Sequence, residues 1–332
     1  MKILFDHHLP FSLAHGGFQQ QLAQTIAALG VAGVETEYLR WWDAAQRGDI
    51  IHFIGRPTSD YIAFAHGQGC KIVVAELLTA PGSRSRGQLA FQKFSTGVFK
   101  KFLPDTFTNR MAWDAYRLAD ACIANTGWEA HLMNYLFGAP QERVHIVPNG
   151  VEDVFQNSEK AERGQWLVCA ATITARKRVL ELAEAAVRAQ TPIWIIGKAY
   201  ADADPYAQRF FALAKQQPRI VRFQGAIQDR ARLARIYREA RAFVLLSSME
   251  TRSLSAEEAA ACECPLLLSD LPWAHSTFGN AARYCPVTKS IDTAARVLRE
   301  FYDAAPTLPP PPKPASWNDV ARRLKSVYEL IL

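Results

Sequence analysis

Short runs of apolar, often β-branched residues alternate with longer stretches in which apolar positions return every three or four residues, and this rhythm continues along the whole 332-residue chain. It predicts βα units wound around mostly parallel sheets. The strand candidates of the first half are residues 2–5, 34–39, 49–54, 71–75, 121–125 and 144–147; those of the second half are 166–171, 192–196, 220–223, 242–246, 265–269 and 283–285. Six runs per half suffice for two doubly wound sheets. Residues 149–164 are polar, open on the turn signal Asn149-Gly150 and have little periodicity, which places a hinge there. The expected division is therefore 1–155, 156–312 and a last segment, 313–332. Pro306-Thr307-Leu308, then Pro309 to Pro312 and Pro314, predict a stiff extended spacer, because proline lacks the amide hydrogen and fixes φ. Ser316 is a candidate N-cap for a final helix striped by Trp317, Val320, Ala321, Leu324, Val327, Tyr328 and Leu332.

Composition narrows the class. Hydrophobic residues make up 49% and charged residues 21%, which excludes a disordered chain, and the length excludes a small disulfide scaffold. The six cysteines are scattered without metal or redox spacing and read as reduced core thiols. The opening MKILFDHHLP has too few apolar residues for a signal peptide, and no apolar run is long enough to span a bilayer. The expectation is a cytoplasmic protein, either soluble or peripherally attached to a membrane. Residues 1–160 carry 14 Lys/Arg against 15 Asp/Glu, whereas residues 161–332 carry 24 against 17, so an anionic ligand is expected in the second half.

The densest chemistry lies in residues 241–270, RAFVLLSSMETRSLSAEEAAACECPLLLSD. An apolar strand ends at Ser247-Ser248, a polar loop carries Glu250 and Arg252, a helix starts near Ser253 to Ser255, and a second buried strand follows Pro265. Ligands of open parallel sheets bind beyond the carboxyl ends of the strands, where this loop falls. Amides of Leu254 and Ser255 at a helix N-terminus favour an anion such as a diphosphate. Glu250 and Glu258, on either side, suit the hydroxyls of a sugar and a ribose. The bland alternative is that Ser255-Ala256-Glu257-Glu258 forms a capping box and Glu258 serves only its own helix.

This segment resembles the retaining glycosyltransferases of family 4, which share the fold called GT-B. Their E-x7-E element, small-residue helix and following strand correspond to Glu250, Glu258, Ala259-Ala260-Ala261-Cys262 and Cys264-Pro265-Leu266. Further resemblances come in the family's order. They are Asp120-Ala-Cys-Ile-Ala-Asn-Thr126, Val147-Pro148-Asn149-Gly150-Val151-Glu152, Phe223-Gln224-Gly225 with the helix after Asp229, and the terminal helix after Ser316. The resemblance implies two Rossmann-like domains facing a cleft. Residues 1–155 would take the acceptor, 156–312 the nucleotide-sugar donor, and 313–332 would pack back on the first domain. It also implies transfer of a hexose from a nucleotide-diphosphate sugar to a glycan, glycolipid or small molecule, with retention of configuration, no cofactor and no metal, as in polysaccharide or glycolipid biosynthesis.

The resemblance assigns roles residue by residue. Gly16 and Gly17, in the loop after the first strand, would approach the donor. Lys177, in Thr172-Ile-Thr-Ala-Arg-Lys-Arg178, falls on the lysine that grips the diphosphate. Glu250 would orient the donor sugar, Ser253, Leu254 and Ser255 would meet the diphosphate, and Glu258 would hold the ribose. Three departures stand out. Thr172 replaces the family's first arginine, so Arg176, Arg178 or Arg252 is expected to stand in; Thr251 and Ser253 replace glycines; and Glu76 ends a strand where relatives carry a histidine near the sugar, so it is a catalytic candidate that would hydrogen-bond a sugar hydroxyl, or else merely ends the strand. His7, His8, Arg84 and Arg86 are candidates on the acceptor side, whereas His52 reads as core. Residues 77–104 hold no acidic residue but five basic ones, interleaved with Phe91, Phe94, Phe99 and Phe102. That pattern suits an anionic leaflet or glycolipid, with residues 84–102 as the contact, or else a mobile acceptor loop packed by its own phenylalanines. No nucleic-acid module is recognised. Two other readings stay open: a sugar-nucleotide 2-epimerase, and a sugar-nucleotide-binding protein without turnover.

Overall fold

Each apolar run read as a strand forms one, and every strand pair among the described residues is parallel. A computed structural model describes residues 1–8, 17–157 and 161–332. The chain runs β1 (Lys2–His7), α1 (Gly17–Val31), β2 (Glu35–Tyr38), β3 (Ile50–Ile54), α2 (Ser59–Gly67), β4 (Lys71–Ala75), α3 (Thr79–Gly82), α4 (Arg86–Phe102), α5 (Asp105–Arg110), α6 (Ala115–Leu118), β5 (Ala121–Ala124), α7 (Gly127–Phe137) and β6 (Val144–Ile146). It continues as α8 (Asp153–Gln156), β7 (Leu167–Ala170), α9 (Val179–Ala189), β8 (Ile193–Ile196), α10 (Pro205–Gln216), β9 (Val221–Phe223), α11 (Arg230–Glu239), β10 (Ala242–Leu245), α12 (Leu254–Ala261), β11 (Leu266–Ser269), α13 (Pro272–Phe278), β12 (Arg283–Cys285) and α14 (Ile291–Ala304), and closes with α15 (Trp317–Ile331).

Two units result: Met1–Gly150 together with Ala315–Leu332, and Val151–Pro314. The break falls at 150 rather than 155 because Val151 and Phe155 are buried in the core of the second unit. In the first unit the strand order is β2-β1-β3-β4-β5-β6; in the second it is β12-β11-β10-β7-β8-β9. Helices cover both faces of a doubly wound sheet, so its central strands are apolar throughout, as in the fully buried β5, β8 and β10. The order reverses between β1 and β3 in one unit and between β7 and β10 in the other. Crevices for ligands open at such switch points, beyond the carboxyl ends of the strands.

The final helix completes the first unit. It packs on α1, and its Tyr328 hydroxyl lies 2.6 Å from Nδ1 of His52 in β3. His52 is a core residue, neutral because burial pushes its pKa down to about 3. Gly150 permits the close passage of this helix: a Cβ there would lie 2.7 Å from the backbone of Trp317. The proline-rich spacer holds one helical turn, the 3-10 segment Ala305–Thr307, with Pro306 in its first turn where no amide donor is required.

Candidate functional site

The loops leaving β7 and β10 meet at the switch point of the second unit. The loop after β7 forms a 3-10 turn, Ala175–Lys177, capped by Thr174. The amide and hydroxyl of Ser248, just beyond β10, both donate to the Arg176 carbonyl, at 2.8 and 3.1 Å. Gly197 allows β7 and β8 to end this close together, since a Cβ there would sit 1.9 Å from the Ala171 carbonyl oxygen.

This strap brings three candidates into one cluster. Glu250 is only 6% exposed and is ion-paired with Lys177; its carboxylate also lies 3.3 Å from the Arg176 guanidinium, which donates to the Met249 carbonyl at 2.9 Å. Of the three arginines considered as replacements at Thr172, Arg176 is the one beside Glu250. Arg178 donates instead to the Thr288 carbonyl, and Arg252 is tied to the buried Glu257.

Next to the cluster, α12 begins. Its N-cap is Ser253, whose hydroxyl accepts from the Ala256 amide at 3.3 Å and lies 3.2 Å from the Ser255 hydroxyl. The amides of Leu254 and Ser255 stand in the first turn, where no earlier helical carbonyl takes them. Because Ser253 caps the helix, the capping box through Glu258 does not form. Glu258 points to Arg230 at the start of α11, and Arg230 also donates to Glu152 at 2.8 Å while stacking over the Phe155 ring at 4.7 Å. Burial pushes the Glu258 carboxyl up to about 7 against the opposing pull of Arg230. Arg230 is the residue that sequence reasoning missed. Its only signal was its place at the head of a basic helix, and its partners are 28 and 78 residues away in sequence.

The first unit holds the remaining candidates. Glu76 follows β4, accepts from the buried Tyr116 hydroxyl and pairs with Arg56 at 2.9 Å. It lines a small pocket of about 50 Å³ with Phe5, His52, Ile54, Asn125 and Asn149. A buried carboxylate unannounced in the sequence, Glu129, supports this rim by accepting from the amides of Leu78 and Asn125 at 2.8 and 2.7 Å. His7 packs against Phe18, and His8 lies against Phe53 with its Nε2 3.0 Å from the Arg56 carbonyl. Gly17 opens α1, while Gly16 lies outside the described residues. Arg84 and Arg86 are exposed at the entry to α4, and Arg84 donates to Gln92. Among the described residues no His, Cys, Asp and Glu cluster is arranged to hold a metal ion.

Comparison with known proteins agrees with this architecture. A glycosyltransferase from Rickettsia africae shares 11% identity over 99% of this chain and 98% of its own, with a TM-score of 0.67. The Anabaena protein Alr3699/HepE, solved with UDP, shares 14% over 99% and 100%, with a TM-score of 0.67. Sucrose-phosphate synthase from Thermosynechococcus elongatus shares 15% over 99% and 98%, with a TM-score of 0.66. At these identities the likeness establishes the fold, two Rossmann-like units of the GT-B type. No curated protein matches the sequence itself. The profile described as glycosyl transferases group 1 matches residues 151–323, which contain the Lys177, Glu250 and Glu258 clusters, and the chain belongs to that family of glycosyltransferases.

Proposed function

We propose that this chain transfers a hexose from a nucleotide-diphosphate sugar to a glycan, glycolipid or small-molecule acceptor, with retention of anomeric configuration and without a metal ion. The observation that carries the reading is the Arg176, Lys177 and Glu250 cluster beside the first turn of α12, at the switch point of the second unit. Two cations and a helix N-terminus fit a diphosphate, and a carboxylate among them fits the hydroxyls of the attached sugar. The UDP bound by the Anabaena relative of like fold adds support for a nucleoside diphosphate.

In this reading the first unit takes the acceptor and the second takes the donor. As the donor enters, its diphosphate joins Glu250 as an anion shared by Lys177 and Arg176. Glu250 orients the sugar, and Glu258, held by Arg230, accepts from the ribose hydroxyls. The bond between the anomeric carbon and the phosphate oxygen lengthens, and charge accumulates on the departing diphosphate. Lys177, Arg176 and the amides of Leu254 and Ser255 are already in place to stabilise that charge, which is where fixed donors accelerate a reaction most. The acceptor hydroxyl then bonds to the anomeric carbon on the face the phosphate leaves, and its proton passes to a phosphate oxygen. No protein base is required.

Calorimetric titration with uridine, guanosine and adenosine diphosphate sugars tests donor binding, and NMR of the product formed with chelator present tests retention. One donor class binds, Lys177→Ala weakens it, and the product keeps the donor's anomeric configuration. A C2 epimer formed from donor alone, an inverted product, or activity lost on chelation overturns the proposal.

A further inference from the structure

Helix α4 is amphipathic with its apolar side turned outward. At 100° per residue, Phe91, Phe94, Val98 and Phe102 fall in one stripe. The residues of α4 that turn toward the first unit are the buried Leu89 and the half-buried Gln92, Ser95 and Thr96. Phe91, Phe94 and Phe102 are 71%, 70% and 74% exposed, and Val98 and Phe99 are exposed beside them. Leu103, Phe107 in α5 and Met111 just after it extend the apolar surface. The loop packed by its own phenylalanines, one of the two expectations from sequence, is therefore not what forms. Three phenylalanines alone present on the order of 400 Å² of ring surface, as large as the largest apolar patch of a typical monomer.

Basic residues accompany this surface, and Lys101 flanks the stripe directly. Residues 77–104 contain no acidic side chain, and Arg84, Arg86, Lys93, Lys100 and Lys101 lie on or next to the helix, with Arg110 at the end of α5. The Lys101 ammonium lies 5.7 Å from the Phe102 ring centre, so cation and apolar stripe adjoin. Lys93 and Lys100 turn toward the unit instead, Lys93 over the Tyr135 ring at 4.1 Å and Lys100 to Asp114 at 2.9 Å, which leaves Lys101 and the exposed Arg110 for a partner. Whatever covers the stripe is apolar inside and negative at its edge. A second copy docked by two-fold symmetry sets these cations against one another, and Val98, Leu103 and Met111 give nucleic-acid bases no stacking face. An anionic lipid surface meets both requirements. No helix of the described residues is long and apolar enough to cross a membrane, so the contact is made from one side.

We infer that α4 lies flat on an anionic bilayer, with Phe91, Phe94 and Phe102 among the acyl chains and Lys101 and Arg110 at the headgroups. The test is co-sedimentation of the full chain with vesicles of phosphatidylcholine alone or mixed with phosphatidylglycerol. The protein pellets with the mixed vesicles and stays in solution with the neutral ones, and added salt releases it. F91S/F94S/F102S lowers the bound fraction at least about tenfold. K101Q/R110Q lowers it about fivefold per charge. Matched melting curves establish that both variants fold, and Phe94→Trp gives blue-shifted, brominated-lipid-quenched emission in the wild-type background. Failure to pellet with the mixed vesicles overturns the inference, as does equal pelleting of the triple variant. A wild-type dimer that the triple variant dissolves into monomers also overturns it, since the face is then an interface between copies.

Discussion

Arg230 offers the sharpest perturbation of the proposed donor site. Glu258 is 6% exposed, and its carboxyl stands near pH 7 because burial raises it further than Arg230 lowers it. With a midpoint of about 7, roughly one-tenth of the carboxyl is ionised at pH 6 and roughly nine-tenths at pH 8. If the ionised form receives the ribose hydroxyls, donor affinity rises about tenfold between those pH values and levels off above them. Arg230→Met removes the one strong lowering influence, so the midpoint moves upward and the rise in affinity shifts with it. At pH 7.5 the variant binds donor about tenfold more weakly, the difference between a charge-assisted and a neutral hydrogen bond. Leaving a buried carboxylate unpaired costs about 3–5 kcal/mol of stability, and protonation relieves it, so the variant is least stable at high pH. Calorimetric titration of the nucleoside diphosphate from pH 6 to 8.5, beside urea melts of both proteins, reads all of this. A flat affinity profile in the wild type, or a variant whose profile superimposes on it, refutes the reasoning.

Other expectations follow from the same geometry. In the proposed mechanism Lys177→Ala withdraws a fixed cation from the departing diphosphate and lowers kcat on the order of a hundredfold or more in initial-rate assays, while Glu250→Gln loses activity with a smaller change in nucleotide binding. His52 is neutral in the folded state, its pKa pushed down to about 3 from the ordinary 6.5, so its contribution to stability is present above pH 6.5 and is lost as pH falls toward 3. That swing is about 5 kcal/mol, and His52→Phe flattens the acid limb of the urea-melt profile. Tyr328→Phe deprives the buried imidazole of its partner and costs about 1–3 kcal/mol at neutral pH in the same assay. Gly150→Ala drives a methyl group into the Trp317 backbone and destabilises the first unit by roughly 1–3 kcal/mol.

The sheets were readable in sequence for a definite reason. Strands buried on both faces are apolar throughout, so β5, β8 and β10 appear as uninterrupted runs, and their ends were placed within a residue or two. The candidate chemistry was readable where residue type and spacing coincide, as with Glu250, Glu258 and Lys177. Their partners were not. Arg230 reaches Glu152 across 78 positions, and Glu129 ties two strand ends together from the first turn of α7. Such pairings depend on which loops the fold brings together, and local pattern carries no record of that. Helix α4 shows a third kind of gap. The spacing of its phenylalanines announced a stripe, but only the seat of Leu89 against the unit reveals that the stripe faces away. Which of Arg176, Arg178 and Arg252 lies beside Glu250 was likewise not legible before the strap between Ser248 and Arg176 was in view.

The first unit draws residues from both ends of the chain, while the second is one continuous stretch. During translation, β1 through β6 leave the ribosome well before α15, so the groove on α1 and the ring nitrogen of His52 wait for their cover. The later-made unit has all its parts first. Maturation thus runs against the usual order of synthesis, in which the leading domain finishes before the next begins. Until α15 arrives, the leading unit has its six strands but lacks the helix that covers α1 and His52.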